Sequence, residues 1–394
     1  MGNPHFDEGS YAAKRWRRSV ASAEHCSMRG SADRACLAAG SLCRQINERM
    51  DGCTVLELTD PRWADFVAAH PAATPFHHPD WARLVASCYG FRTFALAVSD
   101  VTGAIRAGLP VVEVRHLRGG PKWVSLPYTD YCPPLASTRR EEEQLAAALR
   151  QAGDAAGVRR VEIRAPLADA SATGPAALRH VLALGRSPEQ VYAGFHRSQV
   201  QRNIRRAERE GLTVRRAAQP HDLVDTFYRL HLRTRRRLGV PVQPRRFFRL
   251  LWESAISTGL GSVLIVEVSA QPIAAAVFLE WNGTVIYKFG ASDASAWSLR
   301  PNHVLFWHAI RTACEQGCRW FDFGRTDLGQ EGLRNFKLSW GAVEEPLVYG
   351  TLGGKRGSAA PAEGMAARML GPIIRHGPLL LCRATGETLY RYIA

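Results

Sequence analysis

Lys337 is the residue whose setting most invites chemistry. It interrupts the apolar run Phe336-Lys337-Leu338-Ser339-Trp340, which reads as a strand stopping at Gly341. A buried ammonium needs a partner. The alternative is a lysine whose stem packs while its head reaches water. Fifteen residues earlier, Asp322 stands in Phe321-Asp322-Phe323-Gly324, a short aromatic strand broken at Gly324. Arg325, Thr326 and Asp327 follow as a polar loop. The residues alone leave open whether Asp322 serves chemistry or is purely structural.

A second group of residues is suited to polyanions. Arg202, Arg205, Arg206 and Arg209 fall at i, i+3, i+4 and i+7, which makes one helix face a basic ridge. A following helix, over 221–237, ends in Arg233, Arg235, Arg236 and Arg237. Between His196 and Arg249 there are fifteen Arg, no Lys and four acids, an excess of eleven positive charges. The whole chain carries +15. Such a surface seeks a polyanion. Arg stacks and binds phosphate with two donors, which suits RNA; no DNA partner is expected. The alternative is a solvated helix face paired with acids elsewhere. No known RNA-binding motif is present.

These residues need a scaffold. A chain of 394 residues, 46% of them hydrophobic, suggests two globular domains with tails. Strands alternate with helices. Thr54-Val55-Leu56-Glu57-Leu58 alternates as a strand, and Asp60-Pro61 opens a helix. His77-His78-Pro79-Asp80-Trp81 opens another. Strands follow at 93–98, 104–114 and 123–126, then the polar aromatic loop Tyr128-Thr129-Asp130-Tyr131. A helix over 141–156 and a strand over 160–164 close the first half. Residues 166–188 read as a connection with a weak strand near 180–184. The second half opens with one helix over 187–210. Helices over 221–237 and 247–257, strands to Phe289, a helix from Pro301 and two last strands complete it. This layering is α/β, with mixed sheets flanked by helices. The expected divisions are a flexible extension over 1–50, domains over 51–186 and 187–352, and a linker with a helical tail over 353–394.

Several classes are excluded or disfavoured. No apolar run approaches the ~20 residues of a membrane span. The N-terminus shows Lys14-Arg15-Trp16-Arg17-Arg18 rather than an apolar signal core, so a cytoplasmic location is expected. The nine cysteines are scattered. Cys314 and Cys318, with His308 nearby, lack further ligands, so no metal is expected. The apolar tail, with Leu379, Leu380 and Leu381 interleaved by Arg375 and Arg383, is expected to dock on the body. A peripheral membrane contact is its alternative reading.

The order of these elements resembles the FemABX family and the broader FemAB-like acyltransferases. Trp81, Leu126-Pro127 with Asp130-Tyr131, and Arg202-Asn203-Ile204-Arg205-Arg206-Ala207 carry the resemblance. So do Arg300-Pro301-Asn302, Asp322-Phe323-Gly324 and Phe336-Lys337. It runs from about Val55 to Tyr349. The resemblance implies two GNAT-like domains, the acyl-CoA N-acyltransferase fold in tandem. It implies transfer of an aminoacyl group from tRNA to an amine of a cell-wall precursor or small metabolite, without a resident cofactor. Acyl transfer to an amine needs the amine deprotonated, the carbonyl oriented and the developing oxyanion stabilised. The resemblance places Lys337 near the scissile carbonyl for that last task, and Asp322 would orient the amine or hold an arginine. Arg83 and Arg202 would contact the acceptor's diphosphate. Asp130, Tyr131, Tyr287, Arg325 and Phe336 would line the substrate groove. The RNA would lie on Arg205, Arg206, Arg209, Arg235 and Arg236.

Two departures bear on this. The glycine-rich R/Q-x-x-G-x-G/A loop of CoA-binding acetyltransferases is absent, and Ser298-Leu299-Arg300-Pro301-Asn302-His303 stands in its place. That disfavours acyl-CoA as donor, because backbone N–H groups at such a loop hold phosphate. No long paired-helix arm for tRNA is present either. An acyl-CoA N-acyltransferase of polysaccharide or natural-product biosynthesis is the runner-up. A non-catalytic basic module is the third class.

Overall fold

The computed structural model describes residues 53–115, 120–172, 175–353 and 370–392. The extension expected over 1–50 and most of the linker after Gly353 lie outside the described residues.

The first half begins with β1 (Cys53–Leu56), α1 (Pro61–Ala69) and α2 (Pro79–Tyr89). Both helices carry Pro at the first turn, where its missing N–H costs nothing. Asp60 caps α1, and the His78 ring accepts from the Asp80 N–H at the head of α2. β2 (Arg92–Ser99), β3 (Ile105–Arg115), β4 (Pro121–Val124) and β5 (Leu135–Ala136) follow. Thr138 and Glu141 form a capping box on α3 (Arg139–Ala155). β6 (Arg160–Ile163) and β7 (Ser171–Ala172) end this half.

The second half runs β8 (Ala177–Ala183), α4 (Pro188–Ala193), α5 (Arg202–Arg209), β9 (Thr213–Arg216), α6 (Tyr228–Leu238) and α7 (Arg245–Leu251). Then come β10 (Gly261–Val268), β11 (Gln271–Trp281), β12 (Thr284–Ser292), α8 (Pro301–Glu315) and β13 (Trp320–Thr326). α9 (Glu331–Leu338), β14 (Val343–Leu347), β15 (Gly350–Gly353) and α10 (Leu379–Leu389) complete the chain.

Two mixed sheets result. The first is ordered β1-β2-β3-β4-β6-β15-β7, with β5 on β3. The second is ordered β14-β8-β13-β12-β11-β10-β9. Each holds one parallel pair, β4 with β6 and β12 with β13. The sheets exchange strands. β8, expected in the inter-domain connection, joins the second sheet between β13 and β14. β15, within the expected second domain, pairs with β6 in the first. The divisions at 186 and 352 therefore do not follow the sheets.

Two cores hold the layers together. One covers the first sheet, α2, α3, α6, α7 and one face of the second sheet, so apolar packing joins the halves. The other lies on the opposite face of the second sheet, under α4, α5 and α8. Cys314 and Cys318 pack against it. Two helical expectations change. The helix expected over 187–210 breaks after Ala193, and Phe195 turns inward against Trp307 and Trp340. His196 then caps a wide turn, Arg197–Gln201, that leads into α5. Phe336-Lys337-Leu338 is helical, not a strand. The helix puts Lys337 and Trp340 one turn apart, both buried.

Candidate functional site

The site starts where β12 and β13 part. They pair only across Thr284–Ile286 and Trp320–Asp322. β12 carries a bulge opposite Val277 and Phe278, with Lys288 as its extra residue. On β13 the pairing with β8 shifts between Asp322 and Arg325, and Gly324 takes φ +70. A β-carbon there would sit 3.1 Å from the Tyr287 carbonyl oxygen, so glycine suits both the angle and the approach.

Charged groups hold this kink. The Asp322 carboxylate accepts from the Gly324 N–H at 2.7 Å and from Arg179 Nε at 2.6 Å. Lys337 Nζ donates to the carbonyls of Gly324 and Arg325 at 2.8 and 2.9 Å. Two of its three donors are thus used, leaving one. Lys337 is only 3% exposed. Burial lowers its pKa to about 8, against the pull of Asp322, Asp130 and Asp327.

The first half supplies the facing wall. Asp130 Oδ2 lies 3.6 Å from where a Gly324 β-carbon would be. Its backbone carbonyl accepts from Tyr349 Oη at 2.9 Å, and Arg325 Nη1 donates to the Tyr349 Oη at 3.0 Å. Lys288 Nζ donates to the Tyr128 carbonyl at 2.7 Å and lies 3.8 Å from Asp130 Oδ2. The rings of Phe76, Trp81 and Phe289 surround it at 5.1 to 5.7 Å. Burial pushes the Lys288 pKa down, while Asp130 and Asp322 oppose the shift. Arg179 lies over the Tyr131 ring at 5.0 Å. Between these walls runs a crevice reaching Thr74, Phe76, Asp130, Tyr131, Asp322 and Gly324. Its free space is about 10 Å³, room for one water, so a larger guest must widen it.

A second feature lies at the N-terminus of α8. Arg202, Asn203, Arg206, Arg209, Glu210 and Arg300 line an open groove of about 590 Å³. Arg300 takes a left-handed conformation, φ +63, and Pro301 starts the helix. Four guanidinium groups, with Glu210 among them, gather positive charge beside a helix N-terminus.

Of the residues singled out in the sequence, Lys337, Asp322, Asp130, Tyr131 and Arg325 come together. Arg202, Arg206 and Arg209 share the groove. Arg205 turns away, donating to Tyr192 Oη at 3.4 Å and Gln201 Oε1 at 3.1 Å. Arg235 folds back onto the Pro241 carbonyl at 2.9 Å. With Arg236 it sits on α6, across the second sheet from α5. The expected single RNA surface is therefore split by the sheet. Arg83 pairs with Asp80 on α2, also across the sheet from Arg202, so the two do not form one diphosphate grip. Tyr287 packs against Phe278 and Phe306, and burial raises its pKa to about 12. Phe336 packs against His303, Phe306 and Trp340. Both side chains belong to the second core's side of the sheet; what reaches the kink is the Tyr287 carbonyl.

Lys288, Arg179, Tyr349 and Arg300 were not singled out as site residues. Lys288 offered the same signal as Lys337, a lone cation in an apolar strand, Thr284-Val285-Ile286-Tyr287-Lys288-Phe289.

Two tandem α/β domains, with a splayed parallel pair and an N-terminal helix groove in the second, define the fold class: a tandem GNAT-like fold. Residues 194–338 match the family described as the acetyltransferase (GNAT) domain. The crystal structure of FemX is similar over 76% of this chain and 96% of that one, with a TM-score of 0.59 at 15% identity. L-PGS from Bacillus licheniformis is similar over 80% and 98%, at 0.52 and 13%. The C-terminal domain of a putative lysylphosphatidylglycerol synthetase from Agrobacterium fabrum covers 80% and 96%, at 0.51 and 14%. No curated protein matches the sequence. At these identities the likeness shows the fold alone, two GNAT-like domains arranged as in FemX. Among the described residues no helix is long and apolar enough to cross a membrane.

Proposed function

We propose that the protein transfers an aminoacyl group from tRNA to an amine of a cell-wall precursor or small metabolite, in the cytoplasm. The observation that carries this reading is the groove of Arg202, Arg206, Arg209 and Arg300 at the head of α8. It suits a donor with several phosphates. Pro301 removes one N–H from the position where a glycine-rich loop would cradle a pyrophosphate. Side-chain cations spread along an open groove suit the separated phosphates of a polynucleotide better than a compact cofactor.

The chemistry then divides between the walls of the kink. The acceptor arrives as an ammonium and is drawn to Asp130, which faces the crevice. One ammonium proton is given up to solvent water as the acceptor enters, which frees the lone pair. The amine nitrogen attacks the ester carbon, the C–N bond forms, and the carbonyl oxygen gains negative charge. The remaining N–H of the Lys337 ammonium is suited to that oxygen. Collapse breaks the ester C–O bond, and the ribose oxygen takes up the second amine proton. Asp322 and Arg179 hold the kink and need not touch the substrate. Asp130 and Lys337 are the proposed catalytic residues. Tyr131 and Arg325 are proposed to line the acceptor path.

An acyl-CoA donor is the second reading, favoured by the GNAT-domain match and by the same cationic groove. The test is transfer to a panel of amines from a pool of charged tRNAs and, separately, from acyl-CoA thioesters. Ribonuclease-sensitive transfer supports the first reading.

A further inference from the structure

We infer that the C-terminal segment, residues 379–392, is a positioning strap for the loop that carries Asp130. α10 is seated on the second half with little tolerance. Cys382 is fully buried, and a β-carbon on Gly386 would run into the Val242 carbonyl oxygen. Glu387 Oε1 accepts from the Arg245 N–H at 3.2 Å, capping α7, which Pro244 cannot cap with its own side chain. The segment then delivers Tyr390 to the first half. The Tyr390 carbonyl accepts from Tyr128 Oη at 2.9 Å. The two rings lie 5.3 Å apart, and Tyr89 packs against both, at 4.8 and 6.0 Å.

Tyr128 is the point where this contact reaches the site. Its own carbonyl holds Lys288 Nζ, and Asp130 follows two residues on. The loop is bent through positive φ at Leu126 (+156) and Tyr128 (+62). Side chains with a β-carbon resist such angles, so neighbours must impose them. Two groups do so from either side: Lys288 grips the Tyr128 carbonyl, and the tail grips its phenol. The strap thus acts through Tyr128 on Asp130 without touching the crevice.

The test uses two full-length variants. Tyr128→Phe keeps the ring and removes the bond to Tyr390. Gly386→Val pushes α10 off Val242. The first measurement is hydrogen exchange, which needs no substrate. Amides of residues 126–132 should exchange about tenfold faster in both variants, as for loss of one net hydrogen bond, with β10 and β11 unchanged. The second is kinetic and rests on the acyl-transfer reading. The acceptor KM should rise about fivefold to tenfold while the donor KM stays constant, because only the acceptor wall has loosened. Unchanged loop exchange, or faster exchange everywhere alike, overturns the strap. If Gly386→Val does not fold, Tyr128→Phe decides by the same readings. Absence of transfer from any donor in the wild-type protein defeats the functional reading and leaves the exchange result to judge the strap.

Discussion

Asp130 and Gly324 meet across the two halves of the chain: the carboxylate oxygen lies 3.6 Å from the place a side chain on that glycine would start. Neither residue would be placed there by its own domain alone. Gly324 is presented by the parting of β12 and β13, and Asp130 by a loop tied to Tyr349 and Lys288. A carboxylate thus faces a kinked backbone whose carbonyls are held by a buried ammonium.

Gly324→Ala tests the kink. The new β-carbon would be strained at φ +70 and would crowd the Tyr287 carbonyl. A loss of about 1–2 kcal/mol in stability is expected from the left-handed angle. Transfer should fall more than that loss explains, since crowding at the Tyr287 carbonyl shifts the kink that Asp130 faces. Denaturant unfolding and initial rates measure the two effects separately.

Lys337 predicts a pH signature. With its pKa near 8, the ammonium is lost as pH rises through that value. If the charged form stabilises the oxyanion, kcat falls above about pH 8. Lys337→Arg should remove that falling limb, and Lys337→Met should lower kcat at every pH. Stability runs the other way. The folded pKa lies below the ordinary 10.5, so the unfolded chain holds more protons between the two values. Wild type should gain stability relative to Lys337→Met as pH rises from about 8 to 10.5. A profile rising through pH 8 and then level would assign Lys337 to base catalysis instead.

Asp322→Asn should be costly to the fold. It leaves Arg179, whose side chain is only 17% exposed, without its closest carboxylate. Breaking a buried pair on one side costs about 3 kcal/mol or more. Glu345, 3.2 Å from Arg179 Nη1, should soften the loss. The check is the unfolding midpoint of Asp322→Asn against that of Arg179→Met with Asp322→Leu, which removes both charges and should be milder.

The arginine groove predicts a salt effect confined to one face. Changing Arg202, Arg206 and Arg300 to Gln should weaken tRNA binding and flatten the salt slope by about two units, at roughly 0.7 per phosphate lost. Arg235→Gln with Arg236→Gln should leave the slope unchanged, because α6 lies on the other face. Filter binding between low and moderate salt distinguishes these outcomes.

The sequence made the scaffold legible through local patterns: proline-led helix starts, aromatic strands and the glycine at the end of Phe321-Asp322-Phe323. It misled where one pattern fits two structures. Phe336, Leu338 and Trp340 alternate as a strand would, yet the run closes a short helix that points Lys337 at two carbonyls. Relations set by distant pairing were not legible. The exchange of β8 and β15 between sheets depends on which edges need partners. The bulge that aims Lys288 arises only when β12 is laid against β11. The basic ridge was visible as a helix period. That Arg300 joins it, and that Arg235 and Arg236 do not, follows from which face of the second sheet each helix covers.

The most direct measurement is donor choice by the purified protein. Labelled aminoacyl groups are offered on a pool of charged tRNAs, and labelled acyl groups as CoA thioesters, to the same panel of amines. The account predicts amide product from the tRNA pool, abolished by ribonuclease and by Lys337→Met, and none from the thioesters. Product from the thioesters alone, insensitive to ribonuclease, would contradict it.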